Sequence, residues 1–215
     1  DIKDFAAVNK VYGEAFKNIW NCTVAGSVLC NNLLETLYMN EENMTKEMYG
    51  MFVGELEVLR SYYYYLLFDS FGRIPYMEDY SDRNEALLDP HVVWAHLVST
   101  LERNAPNMAV VTDANRTQYA GRCTQGFAWT LLARLYLNAE VYTDGAVSAW
   151  DKCLTRCNNI IARHKGGGFQ GSGLAQHYLY LFCRDNEQYM PGGGNKAENE
   201  ILWGVPFDED KMQSY

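Results

Sequence analysis

Apolar residues at the start of the chain recur at steps of three and four. Phe5, Val8 and Val11-Tyr12 form one series, and Trp20, Val24, Val28, Asn31 and Leu34 form another. That period marks helices that bury one face, so residues 4–37 are predicted to form two helices. A third helix is predicted with Thr45 at its N-cap, where a hydroxyl accepts from an orphan backbone N–H, and residues 48–71 as its body. Its stretch Tyr62 to Phe68 is apolar all round, the pattern of a helix covered on more than one side. Gly72 ends it. Ile74-Pro75-Tyr76 is then expected to be extended, because the residue before a proline avoids the α region.

The fourth helix has a sharp start signal, with Asp89 at the N-cap and Pro90 at the first helical position, where a missing N–H costs nothing. It is predicted to end near Asn104. After a polar loop through Asp113, Asn115 and Thr117, helix five is predicted over residues 118–141, with Phe127, Ala128, Leu131, Leu132 and Leu135 on its inner face. Helix six follows over 146–163. Beyond Lys165 two glycine-rich loops, 166–173 and 192–194, enclose a short helix over 174–182, and Glu200 to Phe207 reads as a β-strand. Trp129, Leu132, Ala133 and Tyr136 have the spacing of the first helix of a tetratricopeptide repeat, with Ala133 at the position where a small residue lets the partner helix approach. Helix six, opening Trp150-Asp151-Lys152-Cys153, stands where that partner would pack back. The tyrosine-rich helix and the Asp89 helix form an earlier pair, and the spacing of Tyr64 and Tyr136 approximates two ~34-residue periods plus a short insertion.

Composition narrows what such a helical protein does. The 215 residues carry 18 Lys plus Arg against 27 Asp plus Glu, a formal charge of −9. That sign argues against a nucleic-acid backbone or an anionic membrane surface as partner. With 48% hydrophobic and 21% charged residues the chain is of globular type. Its aromatic content, 5 Trp, 16 Tyr and 9 Phe, suits a packed helical core or a surface that stacks on sugars or peptides. The first residue, Asp1, is followed by no secretory leader pattern, and no apolar run approaches the ~18 residues of a membrane span. The sequence reads as an internal segment of a longer protein, with anchor and targeting signals outside it.

Candidate chemistry is sparse. Gly166, Gly168 and Gly171 spell G-x-G-x-x-G, but a helix precedes them where a dinucleotide site needs a strand, so a flexible loop is expected. His91, His96, His164 and His177 form no paired metal motif. Cys153 and Cys157 stand one helical turn apart and are expected to be buried, unpaired thiols rather than zinc ligands. No Gly-x-Ser-x-Gly elbow occurs. Glu198/Glu200 and Asp208/Asp210 have the residue type of a glycosidase pair but are expected to be solvated. The Asn21, Asn43 and Asn115 sequons are discounted. Of the Tyr62–Tyr65 run at most one or two rings can face solvent, whereas Phe169 and Tyr189, with Asn195 nearby, lie in loops freer to meet a ligand.

The ordered set of segments resembles the SusD/RagB family of nutrient-binding outer-surface lipoproteins of the Bacteroidetes. Trp20, Asn31 and Leu34 match its early helix. Arg60-Ser61-Tyr62-Tyr63-Tyr64-Tyr65-Leu66-Leu67 leads into Asp69-Ser70-Phe71-Gly72-Arg73-Ile74-Pro75-Tyr76 as the family's Phe-Gly-x-x-Pro segment does. Ala133-Arg134-Leu135-Tyr136-Leu137 with Trp150-Asp151-Lys152, and Tyr178, Leu181-Phe182, Asp185-Asn186 and Glu200-Ile201-Leu202-Trp203, complete the order. The matches span nearly the whole chain; only Cys153 and Cys157 depart, replacing small apolar residues.

The resemblance implies a mainly α fold, a tetratricopeptide-like helical-repeat scaffold with a short β segment near the C-terminus, in one SusD-like domain over residues 1–215 whose N-terminal anchor region and C-terminal ligand-binding half lie elsewhere. It implies a non-catalytic protein of the outer membrane surface, without cofactor or metal, that binds an oligosaccharide, or in some members a peptide, and delivers it to a TonB-dependent, SusC-like β-barrel transporter. Membrane attachment would be through a lipid anchor outside this segment. Ligand-contacting residues are not assigned. A helical-repeat module that only binds proteins, and a glycoside hydrolase, are the readings to set against it.

Overall fold

The computed structural model describes residues 5–77, 87–112, 115–119, 121–165, 178–182 and 202–204. Helices dominate these residues. In chain order they are α1 (Phe5–Met39), α2 (Lys46–Phe71), the two-residue strands β1 (Ile74–Pro75) and β2 (Leu87–Leu88), α3 (Pro90–Asn104), α4 (Gln125–Leu137), α5 (Ala139–Tyr142) and α6 (Trp150–Lys165), with short 3-10 turns at Glu41–Asn43, Ala105–Asn107, Arg116–Tyr119 and Tyr178–Phe182. They divide into two compact units: Asp1–Asn104 with Glu140–Val147, and Ala105–Ala139 with Ser148–Tyr215.

In the first unit the two helices expected over residues 4–37 are one helix of 35 residues, about 52 Å long at ~1.5 Å per residue. No proline interrupts it. The hydroxyls that would compete with its backbone bond inside it instead: Thr23 Oγ1 donates to the Ile19 carbonyl at 2.6 Å and Ser27 Oγ to the Val24 carbonyl at 2.9 Å. Thr45 caps α2 as the sequence requires, its hydroxyl accepting from the Met48 N–H at 3.2 Å. Gly72 ends α2 at φ +76°, with its N–H on the Phe68 carbonyl, a conformation that costs a residue without Cβ little.

Helices α1 and α2 pack antiparallel. Asn31 meets Arg60, Gly26 meets Tyr63, and Trp20 meets Phe71 with ring centroids 5.1 Å apart, so one number rises as the other falls. The buried residues of α2 include Val58, Tyr64, Tyr65, Leu67 and Phe68, which fits a helix covered on more than one side. Helix α3 packs on α2 through Val93, Leu97, Thr100 and Leu101. The extended Ile74-Pro75 segment has a partner that periodicity did not supply: it pairs antiparallel with Leu87 and Leu88.

The second unit pairs α4 with α6. Phe127, Ala128, Leu131, Leu132 and Leu135 are all buried, as expected of the inner face of helix five. Of the tetratricopeptide-spaced set, Leu132, Ala133 and Tyr136 are buried while Trp129 is only partly so. Lys152 Nζ sits 5.5 Å from the Tyr136 ring centroid, joining the last turn of α4 to the first of α6.

Several boundaries differ from the sequence expectation. Helix α4 starts at Gln125 rather than 118, because Thr124 is extended (φ −118°, ψ 171°) and residues 116–119 form a separate 3-10 turn. It stops at Leu137, where the Asn138 N–H turns back to the Arg134 carbonyl. Helix α6 starts at Trp150, not 146, because Asp144 (φ 55°) and Gly145 (φ 80°) take two left-handed steps after α5. Trp150, at the start of α6, is 53% exposed. Of the strand expected at residues 200–207, positions 202–204 are described and no strand is assigned to them. The short helix near 174–182 is described as the 3-10 turn Tyr178–Phe182, and both glycine-rich loops lie outside the described residues.

A Cβ added at Gly26 would lie 2.5–2.7 Å from three ring atoms of Tyr63. A glycine-to-alanine change inside a helix ordinarily stabilises by ~0.5–1 kcal/mol. Here overpacking at ~1–3 kcal/mol outweighs that gain, so Gly26→Ala is expected to lower the urea midpoint. A raised midpoint would show that Tyr63 does not lie against α1.

Candidate functional site

In the first unit three buried side chains, Arg60, Asn31 and Tyr64, connect to one backbone position. Arg60 is 5% exposed and donates from a guanidinium nitrogen to Asn31 Oδ1 at 2.7 Å. Since arginine can only donate, this fixes the Asn31 amide with its nitrogen pointing away, and Nδ2 donates to the Met77 carbonyl at 3.2 Å. The Tyr64 hydroxyl donates to the same carbonyl at 2.9 Å and accepts from the Met77 N–H at 3.0 Å. Two helices therefore hold both polar groups of a single peptide residue, where the chain leaves β1 for residues 78–86. On the other side of that segment β2 pairs with β1, and Arg73 Nε bonds the Asp89 carboxylate at the start of α3. That pair is largely solvated and of small worth to stability, yet it lowers the carboxyl's pKa, first through the hydrogen bond itself.

Two further anchors belong to the same unit. Glu57 accepts from Arg103 at 2.8 Å and from Asn104 Nδ2 at 2.6 Å, tying α2 to the last turn of α3. Tyr142 donates its hydroxyl to Asp69 at 2.6 Å, with its ring 4.4 Å from that of Phe68. Burial first, then the Asp69 bond and charge, push the Tyr142 pKa far above its ordinary value. Burial likewise raises Tyr64, and raises the Cys30 thiol to about 11.

The sequence candidates fare unevenly. Within the tyrosine run, Tyr64 and Tyr65 are buried while Tyr62 and Tyr63 are partly exposed. His91 and His96 are exposed, with His96 stacked 5.1 Å from the Tyr76 ring. Cys153 and Cys157 are free thiols but half-buried rather than sunk in the core, because the Trp150, Leu154 and Ile161 flank of α6 is exposed. Asn21 and Asn43 are exposed. Asn115 is used locally, its side chain bonding Thr112 and Val110. Phe169, Tyr189, Asn195, His177, the G-x-G-x-x-G run, Glu198/Glu200 and Asp208/Asp210 lie outside the described residues. Among the described residues no group of three or more His, Cys, Asp or Glu could hold a metal ion, and no helix is long and apolar enough to cross a membrane.

Pattern reading passed over the Asn31–Arg60–Tyr64 knot, although its signal was present. Asn31 sat in an apolar series and Arg60 headed an apolar run, and polar groups at core positions are paired. It also passed over the exposed rings of the second unit. Tyr178 and Phe182 are 72% and 70% exposed with centroids 5.1 Å apart, and Trp150 is exposed on α6. Exposed ring faces of this kind stack on apolar faces of ligands.

No family model matches the chain. It is similar to the starch-binding protein SusD of Bacteroides thetaiotaomicron, at 26% identity over 162 residues, 75% of this chain and 26% of that protein. Among solved structures, a SusD superfamily protein from Parabacteroides distasonis aligns with TM-score 0.70 and 22% identity over 91% of this chain and 38% of its own. The surface glycan-binding protein A of Bacteroides thetaiotaomicron, solved in complex with laminarihexaose, aligns with TM-score 0.60 and 19% identity, over 77% of this chain and 32% of its own. The chain thus spans about a quarter of the curated relative's length (26%) and about a third of each of these structures (38% and 32%).

Two outcomes follow from this geometry. Asn31→Ala removes an acceptor from a buried guanidinium and one of the two donors to the Met77 carbonyl, and is expected to cost ~1–3 kcal/mol, read as a lower denaturant midpoint. Because Tyr64, Tyr142 and Cys30 are held neutral in the fold, the unfolded chain ionises first, near pH ~8.5–10. Their stabilisation is complete below that range and declines as pH rises towards the folded values. The urea midpoint is therefore expected to fall between pH 8 and pH 10.5; an unchanged midpoint would refute the burial of these groups.

Proposed function

We propose that this chain, a member of the SusD/RagB family, belongs to a cell-surface protein that binds a glucan oligosaccharide without catalysis and passes it to a TonB-dependent, SusC-like β-barrel transporter in the outer membrane. The similarity to a starch-binding protein over three quarters of the chain (75%) carries this reading. The laminarihexaose complex of a protein with the same fold supports it. Starch and laminarin are both polymers of glucose, so the shared ligand chemistry is the glucopyranose ring: an apolar face for stacking and a rim of hydroxyls for hydrogen bonds. An acidic chain with exposed rings such as Trp150, Tyr178 and Phe182 suits a neutral ligand of that kind and disfavours a polyanion. Attachment to the membrane would come from a lipid anchor outside these residues, as the family implies.

The test uses the full-length protein. Maltoheptaose and laminarihexaose are titrated separately while the melting temperature is followed. Ligand at a hundred times its Kd stabilises by ~2.7 kcal/mol, which at ~2–4 °C per kcal/mol raises Tm by several degrees. A rise with one glucan and none with a mixed peptide pool is expected. A rise with peptides alone would assign the protein to peptide capture. No rise with any ligand, together with a co-purifying protein partner, would leave a helical interaction module.

A further inference from the structure

We infer that the outer apolar line of α6, centred on Leu154 and Ile161, is a docking surface for a further helix of the same polypeptide, one that lies outside these 215 residues. An α-helix turns ~100° per residue, so positions 154, 157 and 161 fall in a narrow strip along one side. Leu154 is 60% exposed and Ile161 49%, while Cys157 between them is half-buried. Helix α6 packs on α4, and Cys153 and Ile160, also half-buried, continue the apolar surface round from that strip. The whole arc covers about a third of the helix, the width of a core-facing stripe. Asp151, Lys152, Thr155 and Asn158 share the other, exposed side. One packed neighbour thus covers one edge of an arc wide enough for two.

The physics of stacked helix pairs names the second neighbour. Such a pair buries its apolar faces only against the pairs beside it, and a helix that ends the stack turns a polar face to water. With Leu154 and Ile161 outward, α6 has the surface of an internal helix instead. A protein of this fold has chain to spare for that neighbour: the alignment with the SusD superfamily protein of Parabacteroides distasonis, at TM-score 0.70, takes in 91% of this chain but 38% of that one. A sugar is a poorer occupant, because Leu154 and Ile161 offer neither a ring face nor a directed hydrogen bond. Trp150 lies one turn earlier on the same line and is left outside the covered stretch.

The test introduces one cysteine at a time into the full-length protein, without ligand: Leu154→Cys, Ile161→Cys and, on the polar side of the same helix, Thr155→Cys. Maleimide labelling of each new thiol is followed by peptide mass spectrometry, in buffer and in urea, at two protein concentrations. The thiols at 154 and 161 are expected to label at least ~tenfold more slowly in buffer than in urea, since a covered site reacts only when its cover opens. The thiol at 155 should label at nearly its urea rate, and no rate should change on dilution. Circular dichroism checks that each variant is folded, and either of the two apolar positions suffices for the reading. Labelling at 154 and 161 as fast as in urea overturns the inference, and so does equal protection at 155. Protection that is lost on dilution assigns the line to a second copy of the protein and overturns it too. Glucan binding is read separately and stands or falls without this result.

Discussion

Arg60 is the residue on which the first unit turns. A guanidinium cannot shed its proton at any ordinary pH, so burying it is expensive unless donors meet acceptors of good geometry. The fold meets that demand by bringing Asn31 of α1 against it at 2.7 Å. That bond favours one register of the two long helices, because a shift by one residue in either would part the Arg60 guanidinium from Asn31. It also determines which way the Asn31 amide points, and so places Nδ2 on the Met77 carbonyl beside the Tyr64 hydroxyl. The Arg60–Asn31 bond and the two helix anchors on Met77 thus link the pairing of α1 with α2 to the position of the chain just after β1.

Hydrophobic burial supplies the driving force but not this specificity. The packed face of α2 presents Val58, Tyr65, Leu67 and Phe68, side chains that would accept several alternative partners at similar cost. Polar groups do not tolerate such substitution, since each mismatch exposes a full desolvation penalty. Glu57 acts in the same sense one turn earlier on α2, where Arg103 and Asn104 must both reach it. The two polar fixtures lie one turn apart on α2 and address different helices, so together they fix the order α1–α2–α3 against any rotation of the central helix.

Much of this was legible in the sequence. Caps and breakers read true where they act locally: Thr45 caps α2, Gly72 ends it, and α3 starts at Pro90 as read, with the Asp89 carboxylate on Arg73. The inner face of α4 and the covering of α2 on more than one side were recovered for the same reason. What failed depended on the absence of a local signal or on tertiary partners. Nothing in residues 4–37 announced that α1 would run unbroken, because Gly26 looks like a weak point until Tyr63 is seen lying against it. The late starts of α4 and α6 depend on backbone choices at Thr124 and Asp144 that a polar residue permits without declaring. The strand partner of Ile74-Pro75 came from Leu87-Leu88, across a segment whose length gives no register. For the candidate site the limit is different in kind: stacking surfaces are defined by which rings stay uncovered, and composition counts rings without saying which are covered.

The two units solve a common problem in the same way. A helical scaffold satisfies its own backbone, but the irregular segments it carries do not satisfy theirs. In the first unit Tyr64 and Asn31 reach from helices to hold the Met77 peptide. In the second, buried Gln125 at the start of α4 donates from Nε2 to the Ala105 carbonyl at 2.8 Å, while its N–H bonds the Ala109 carbonyl at 3.0 Å. Each anchor recognises backbone, not side chain, so the held segment is free to change sequence without loosening its attachment. That freedom is a physical reason why chains at only 19–22% identity to this one can share its fold. Few helix positions are constrained, and they are constrained by hydrogen-bond geometry rather than by what the irregular segments display.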